Sequence, residues 1–195
     1  MCCDAYINTN SIVEISVCKM DREVVDYISN VIGSEVHVDN TFNKKARRFP
    51  RVRISKKIKD ITSFIGGQKK EQRHLPITKD SFIRYVLLGA FDADGCITWG
   101  RRKDKDRIWQ KIRFTSSYNI LLTIQNILYK HIGISSSIKP KSNNKCFVLE
   151  FSNKRDVLKF LDYIYCDNFV VLHRKYQKQK ALRLELDENG EGTKE

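Results

Sequence analysis

Apolar residues along this chain recur at every second position, then at every third or fourth, and this change of period runs through the sequence twice. The stretch VEISVCKMD, Val13 to Asp21, reads as a strand passing into a helix start, and QKIRFTSSY, Gln110 to Tyr118, reads the same way. YISNVIG ends at Gly33 and ILYKHIG at Gly133, so both look like helices stopped by a glycine cap. Strand and helix follow once more in VRISKKIKDITSFI from Val52 and LEFSNKRDVLKFLDYI from Leu149, with Ser55 and Ser152 as the N-caps. Upstream, DAYI from Asp4 pairs with DGCI from Asp94.

The second copy is expected to run helix (79–93), hairpin (94–116), helix (117–132), hairpin (134–152), helix (154–165) and a basic final helix to about 184. The first follows the same plan without an opening helix, because Met1 lies only three residues before Asp4. Paired glycines, a proline and several charges in GGQKKEQRHLPITKD read as a linker. The expected organisation is a first copy over 1–66, a linker over 67–78, a second copy over 79–184 and an acidic disordered tail over 185–195.

Strand alternation then sorts the side chains. In RIWQKIRFT, Arg107, Trp109, Lys111, Arg113 and Thr115 share one face, while Ile108, Ile112 and Phe114 share the other. RVRIS sets Arg51, Arg53 and Ser55 opposite Val52 and Ile54. These patterns predict an α+β fold in which helices cover the apolar faces of antiparallel sheets and leave a cationic face open.

Charge gives that face a partner. The formal net charge is +13, and the stretch from Glu185 to Glu195 carries five acids and one lysine, which leaves +17 on the rest. A body so basic repels itself unless a polyanion binds it, so nucleic acid is the leading partner class. The six cysteines show no zinc or redox spacing and read as reduced thiols of a cytoplasmic protein. Neither a signal peptide nor a membrane span is indicated.

Against this background stands LLGAFDADGCI, Leu87 to Ile97, a helix that ends in Asp92 and Asp94 among small residues. The helix macrodipole disfavours acid at that end. The nine residues Leu87, Leu88, Gly89, Ala90, Phe91, Asp92, Ala93, Asp94 and Gly95, followed by a hairpin and set in a repeat, resemble the motif of the LAGLIDADG homing endonucleases. That resemblance implies two pseudo-symmetric αββαββα copies forming a saddle whose antiparallel sheets face double-stranded DNA. It implies that Gly89 and Ala93 form the interface where two motif helices cross, and that Asp94 is a metal ligand beside the scissile phosphates. Asp4, from DAYI against DGCI, would be its counterpart, and Asp92 would be structural. The metal would be Mg²⁺, with Mn²⁺ possible in its place; a hard cation prefers a few carboxylates with waters and phosphate oxygens. Lysines near the site would be Lys175 in the second copy and Lys70, or Lys69, in the first. Ser116 and Lys19 stand where polar groups order water in the family.

For DNA contact the resemblance and the alternation together nominate Cys96, Thr98, Arg102, Arg107, Lys111 and Arg113, with Arg51, Arg53 and His37 in the first copy. SIVEIS in that copy shows Ile12, Glu14, Ser16 and Cys18 on its open face, so the half-sites should be read unequally. Three accounts of the missing helix stay open: a longer reading frame with the full pseudo-twofold monomer, a homodimer through the lone motif helix, or a relic that binds nucleic acid without cutting it, as a maturase or a regulator would.

Overall fold

The computed structural model describes residues 3–7, 12–18, 21–33, 35–39, 51–57, 75, 79–101, 108–141, 146–166 and 171–188, and most strand residues before 58 are described as backbone alone. In chain order these form β1 (Cys3–Ile7), β2 (Ile12–Cys18), α1 (Arg22–Ile32), β3 (Val36–Asp39) and β4 (Arg51–Lys57). A 3₁₀ turn (Asp80–Phe82) leads into α2 (Ile83–Asp94), then β5 (Gly95–Arg101) and β6 (Ile108–Ser116). After them come α3 (Tyr118–Ile127) with a π turn (Leu128–Ile132), β7 (Ile138–Pro140), β8 (Phe147–Phe151), α4 (Lys154–Ile164) and α5 (His173–Glu188). The linker expected over 67–78 lies outside the described residues except for Leu75.

The repeat read in the sequence is a repeat of topology. One antiparallel sheet has the order β1-β2-β4-β3 and the other β5-β6-β8-β7. Gly33 (φ 61°) and Gly133 (φ 68°) close α1 and the α3 extension in the left-handed conformation that glycine adopts without a Cβ penalty. The cap of α4 falls one residue later than expected: Asn153 Oδ1 accepts the Arg155 N–H at 2.9 Å. Ser152 is held back in the strand exit, where its carbonyl accepts from Gln110 Nε2 at 2.8 Å.

The second half is built around an apolar core. Its inward strand positions are Ile112 and Phe114 on β6 and Leu149 and Phe151 on β8. Leu87 and Phe91 of α2, Leu121 and Ile124 of α3, and Val157, Phe160 and Leu161 of α4 close over them. Phe91, Phe114 and Phe160 meet edge to face with ring centroids 5.2–5.8 Å apart. Such pairs add about 0.5–1.5 kcal/mol each beyond the burial of their surface.

Residues 185–188, expected to open an acidic disordered tail, are helical, and 189–195 lie outside the described residues. Leu182 and Leu186, four apart on α5, are buried in this core and carry the helix on to Glu188. Glu185 is pinned by Arg101, whose Nη2 lies 2.9 Å from its Oε2. No helix among the described residues is long and apolar enough to cross a membrane.

The step from α2 to β5 is made without a loop. Gly95 is extended (φ −82°, ψ 155°), and a Cβ there would lie 2.5 Å from the Phe91 carbonyl oxygen and 2.2 Å from its ring. The motif's last glycine is thus required by close approach. Gly95→Ala is expected to destabilise the protein by ~1–3 kcal/mol, the usual cost of overpacking. Urea unfolding checks this, since the midpoint should fall at unchanged slope; an unmoved midpoint would show that the helix end can shift to make room.

Candidate active site and nucleic-acid interface

A helix C-terminus gathers unpaired carbonyls and partial negative charge, and α2 adds two carboxylates to it. The compensating cation comes from the first turn of α5. Lys175 is 4% exposed, and its Nζ donates to the carbonyls of Phe91, Asp92 (2.9 Å) and Gly95 (2.7 Å). An ammonium has three N–H groups, and these three acceptors match them in number. Burial pushes the lysine down to about 8, with the charge of Asp92 acting in the opposite direction.

Asp92 completes this joint from the other side. Its Oδ2 accepts the Leu172 N–H at 3.1 Å, at the entrance to α5, where a carboxylate suits the helix N-terminus. Its Oδ1 is buried without a hydrogen-bond partner. Burial raises the carboxyl to about 6, against the lowering effects of that N–H, Lys175 and Arg174. Arg174, next along α5, reaches the first half, with its Nε 3.1 Å from the nearer oxygen of Asp21, which is 1% exposed at the start of α1.

Asp94 is the last residue of α2 and half-buried, and Ser116 Oγ lies 3.4 Å from its Oδ2. The carboxylate opens on a largely apolar cavity of about 320 Å³ lined by Leu75, Val86, Gly89, Ala93, Phe114 and Ile120, among others. Gly89 and Ala93 therefore lie along an open groove, and a Cβ added at Gly89 would meet nothing within 4 Å. From the first half, β1 lies alongside α2. As a donor for Mg²⁺, Asp94 offers hard oxygen at an accessible position, which fits a cation that takes few protein ligands and completes its shell with water and substrate. Among the described residues no three His, Cys, Asp or Glu side chains stand together as a metal cluster.

Strand register corrects the pairing of Asp4 with Asp94. Val17 pairs with Val52 as Phe114 pairs with Leu149, and Ile15 with Ile54 as Ile112 with Phe151. In that frame Cys3, opposite Val17, takes the place of Gly95, opposite Phe114. Asp4 then corresponds to Cys96, two residues along the strand from the position of Asp94. The four-residue match of DAYI to DGCI misled because ladder pairing, and not identity of one acid, sets which positions correspond.

On the second sheet the expected polar face is present. Cys96, Thr98 and Arg113 are exposed, Lys111 is half-buried, and Ile112 and Phe114 point into the core. Glu150, which the sequence reading passed over, stands directly opposite Arg113 on β8. Its Oε2 accepts from Arg113 Nε at 3.0 Å, and its Oε1 lies 3.5 Å from Lys111 Nζ. Partial burial pushes the Glu150 carboxyl upward, but the Arg113 hydrogen bond and the two positive charges hold it below its ordinary value. Arg174 and Asp21 were also missed, since nothing in sequence links residues so far apart. Arg51 and Arg53 lie on β4, and His37 opposite Arg53 on β3. The side chains of Asp4, His37, Arg51 and Arg53, and the whole of Lys19, Lys69, Lys70, Arg102 and Arg107, lie outside the described residues.

Comparison with known proteins bears on this geometry. Residues 81–165 match a family model described as a LAGLIDADG-like domain. Comparison with proteins of curated function finds no match. Among solved structures, the meganuclease I-SmaMI bound to uncleavable DNA matches with a TM-score of 0.61 at 10% identity, over 98% of this chain and 88% of that one. The LAGLIDADG homing endonuclease I-GzeII in complex with its DNA target gives 0.62 at 8% identity, over 98% and 88%. I-AabMI, a LAGLIDADG meganuclease bound to uncleaved DNA, gives 0.60 at 10% identity, over 97% and 87%. The fold of this chain is the one those structures share.

Asp92 gives this site a pH signature. Its folded value of about 6 lies above the ordinary carboxylate value, so its contribution to stability is present below about pH 4 and is lost as pH rises through 6. Asp92→Asn keeps an acceptor for Leu172 and removes the titration. Wild-type stability minus that of the variant should therefore fall by on the order of 2 kcal/mol between pH 4 and 7 in urea unfolding without divalent metal. An equal difference at both pH values would contradict the buried placement.

Proposed function

We propose, because residues 81–165 match the model of a LAGLIDADG-like domain and the chain shares its fold with meganucleases, that this protein is a metal-dependent, site-specific endonuclease acting on double-stranded DNA. The observation that carries the reading is the placement of Asp94. A carboxylate at an unfavourable helix end is held there by a dedicated lysine cap and borders an open groove beside a cationic sheet face.

Each residue has a task in that reading. Asp94 would hold Mg²⁺, or Mn²⁺ in its place, which when bound neutralises phosphate charge and lowers the pKa of the attacking water. Ser116 orients the Asp94 carboxylate. Lys175 is a positioning residue here, since its N–H groups all face main-chain carbonyls and none is left for a phosphate. Thr98, Lys111 and Arg113 lie along the duplex, where strand side chains reach base edges in the major groove. The open strip through Gly89 and Ala93 would receive a second helix and bring a second acid to the other strand, as hydrolysis of both strands requires. Such an enzyme would serve homing of the mobile element that encodes it.

The reading is tested with Asp94→Asn. The wild type should cut long duplex DNA at a defined site in Mg²⁺, and the variant should bind the same duplex with closely similar affinity yet leave it intact. Undiminished cutting by the variant removes Asp94 from the site. Tight duplex binding in Ca²⁺ by a wild type that never cuts in Mg²⁺ assigns the protein instead as a non-cleaving binder, the reading that the displaced register of Asp4 favours.

A further inference from the structure

The basic face of the second sheet carries an acid at its centre. Cys96, Arg113 and Glu150 stand side by side across β5, β6 and β8, and this is the innermost open-face row that all three strands share, since Gly95, the first residue of β5, pairs with Phe114 one step before it. Thr98 and Lys111 form the next row outward. Glu150 reaches both rows: Arg113 Nε lies 3.0 Å and Arg113 Nη2 2.9 Å from its Oε2, and Lys111 Nζ 3.5 Å from its Oε1.

If this face only clamped phosphates, a carboxylate between two cations would weaken it. Phosphate clamping depends on charge and is indifferent to sequence. Reading a base depends on holding a guanidinium in one plane at one angle. Glu150 does the second at the expense of the first. It accepts the Nε N–H of Arg113 and lies in ion-pair contact with Nη2 on the same edge, which leaves the two Nη1 N–H groups and the outer one of Nη2 facing away. The outer N–H of Nη2 and the neighbouring one of Nη1 form the end-on pair that matches guanine O6 and N7. The same carboxylate draws Lys111 toward this row and leaves the three groups with a net charge of only +1.

Resting on the reading of this protein as a DNA-binding endonuclease, we propose that Glu150 is a specificity-determining residue. It braces Arg113 so that the innermost row of the second sheet reads a G·C pair, with guanine facing Arg113. Nothing in this assignment requires Glu150 to touch DNA; it acts through the arginine, and half-buried beside β6 it is placed to do so.

Selection from a pool of randomised duplexes in Ca²⁺, using the full chain, tests this. The wild type should enrich a motif containing one strongly fixed G·C pair. Arg113→Ala should lose preference at that pair by about ten- to a hundredfold, the worth of a bidentate contact. Glu150→Gln should lose preference at the same pair and nowhere else. It should also bind unrelated duplexes more tightly, with a salt dependence steeper by about one counterion. Melting temperature is the control for folding, and an unchanged value is expected for this surface substitution. A Glu150→Gln motif unaltered at every position overturns the proposal and leaves Glu150 as charge offset, and so does a motif altered at a different pair from that of Arg113→Ala. A wild type that binds no duplex overturns the endonuclease reading and this proposal with it, a failure distinct from that of Glu150 alone.

Discussion

Three main-chain carbonyls at the end of α2 face one lysine ammonium, and the second half of the molecule depends on that contact. The other two helices that lead into a strand, α1 and α3 with its π turn, end in left-handed glycines, Gly33 and Gly133, which fold the chain back to satisfy its last carbonyls. No such turn is open to α2, because its chain continues straight into β5 with Gly95 extended. Donors must therefore come from another element, and the partial charge there, with Asp92 and Asp94 added, calls for a cation. Lys175 supplies both at once. Its cost is desolvation, visible in the lowered pKa, and the nearby Asp92 charge offsets part of it.

The same joint reaches the first half. Arg174 precedes Lys175 on α5 and pairs with Asp21 at the start of α1, so two acids and two bases gather where the halves meet. Neither the Arg174–Asp21 ion pair nor the longer-range attraction between Lys175 and Asp92 contributes much net stability, because desolvation consumes most of the gain. What they impose is geometry, for removing either partner strands a charge. Helix α5 is thus fixed at its first turn to the end of α2 and to α1, and farther along to the core through Leu182 and Leu186. Asp94 sits at the fixed end of that arrangement.

Much of this could be read from the chain, and the reasons for the rest are physical. Strand and helix periods gave the order of elements and the two faces of β6, because burial selects side chains at those periods. Asp94 was legible because acid at a helix C-terminus is unfavourable and therefore informative. Lys175 was reached by resemblance alone, and its actual partners are carbonyls, which every residue possesses and no sequence pattern marks. Glu150 was hidden for another reason: alternation tells which face a residue occupies but not which neighbour it meets, and Arg113 meets it only through the β6–β8 register. Register also moved Asp4, since a shift of two residues preserves the face and so leaves the hydrophobic pattern unchanged. The terminal acids looked like a tail because charge was weighed and the spacing of Leu182 and Leu186 was not.

Register shows in addition how the two halves differ. The row of the first sheet that matches Cys96, Arg113 and Glu150 is Asp4, Ser16 and Arg53, with His37 beyond. Each innermost row holds one acid and one arginine, but the arginine lies on the second strand in one sheet and on the third in the other. A body with +17 outside its acidic end has ample attraction for phosphate wherever it touches a duplex. Further cations near the centre would raise affinity for every sequence alike and so blunt discrimination. Under the proposed function, an acid such as Glu150 beside Arg113 would lower that common attraction while keeping directional donors, and so would shift binding toward base edges. The arginine thus falls at a different strand position in each half of one shared architecture, and under the proposed function that difference suits an asymmetric target rather than a palindromic one.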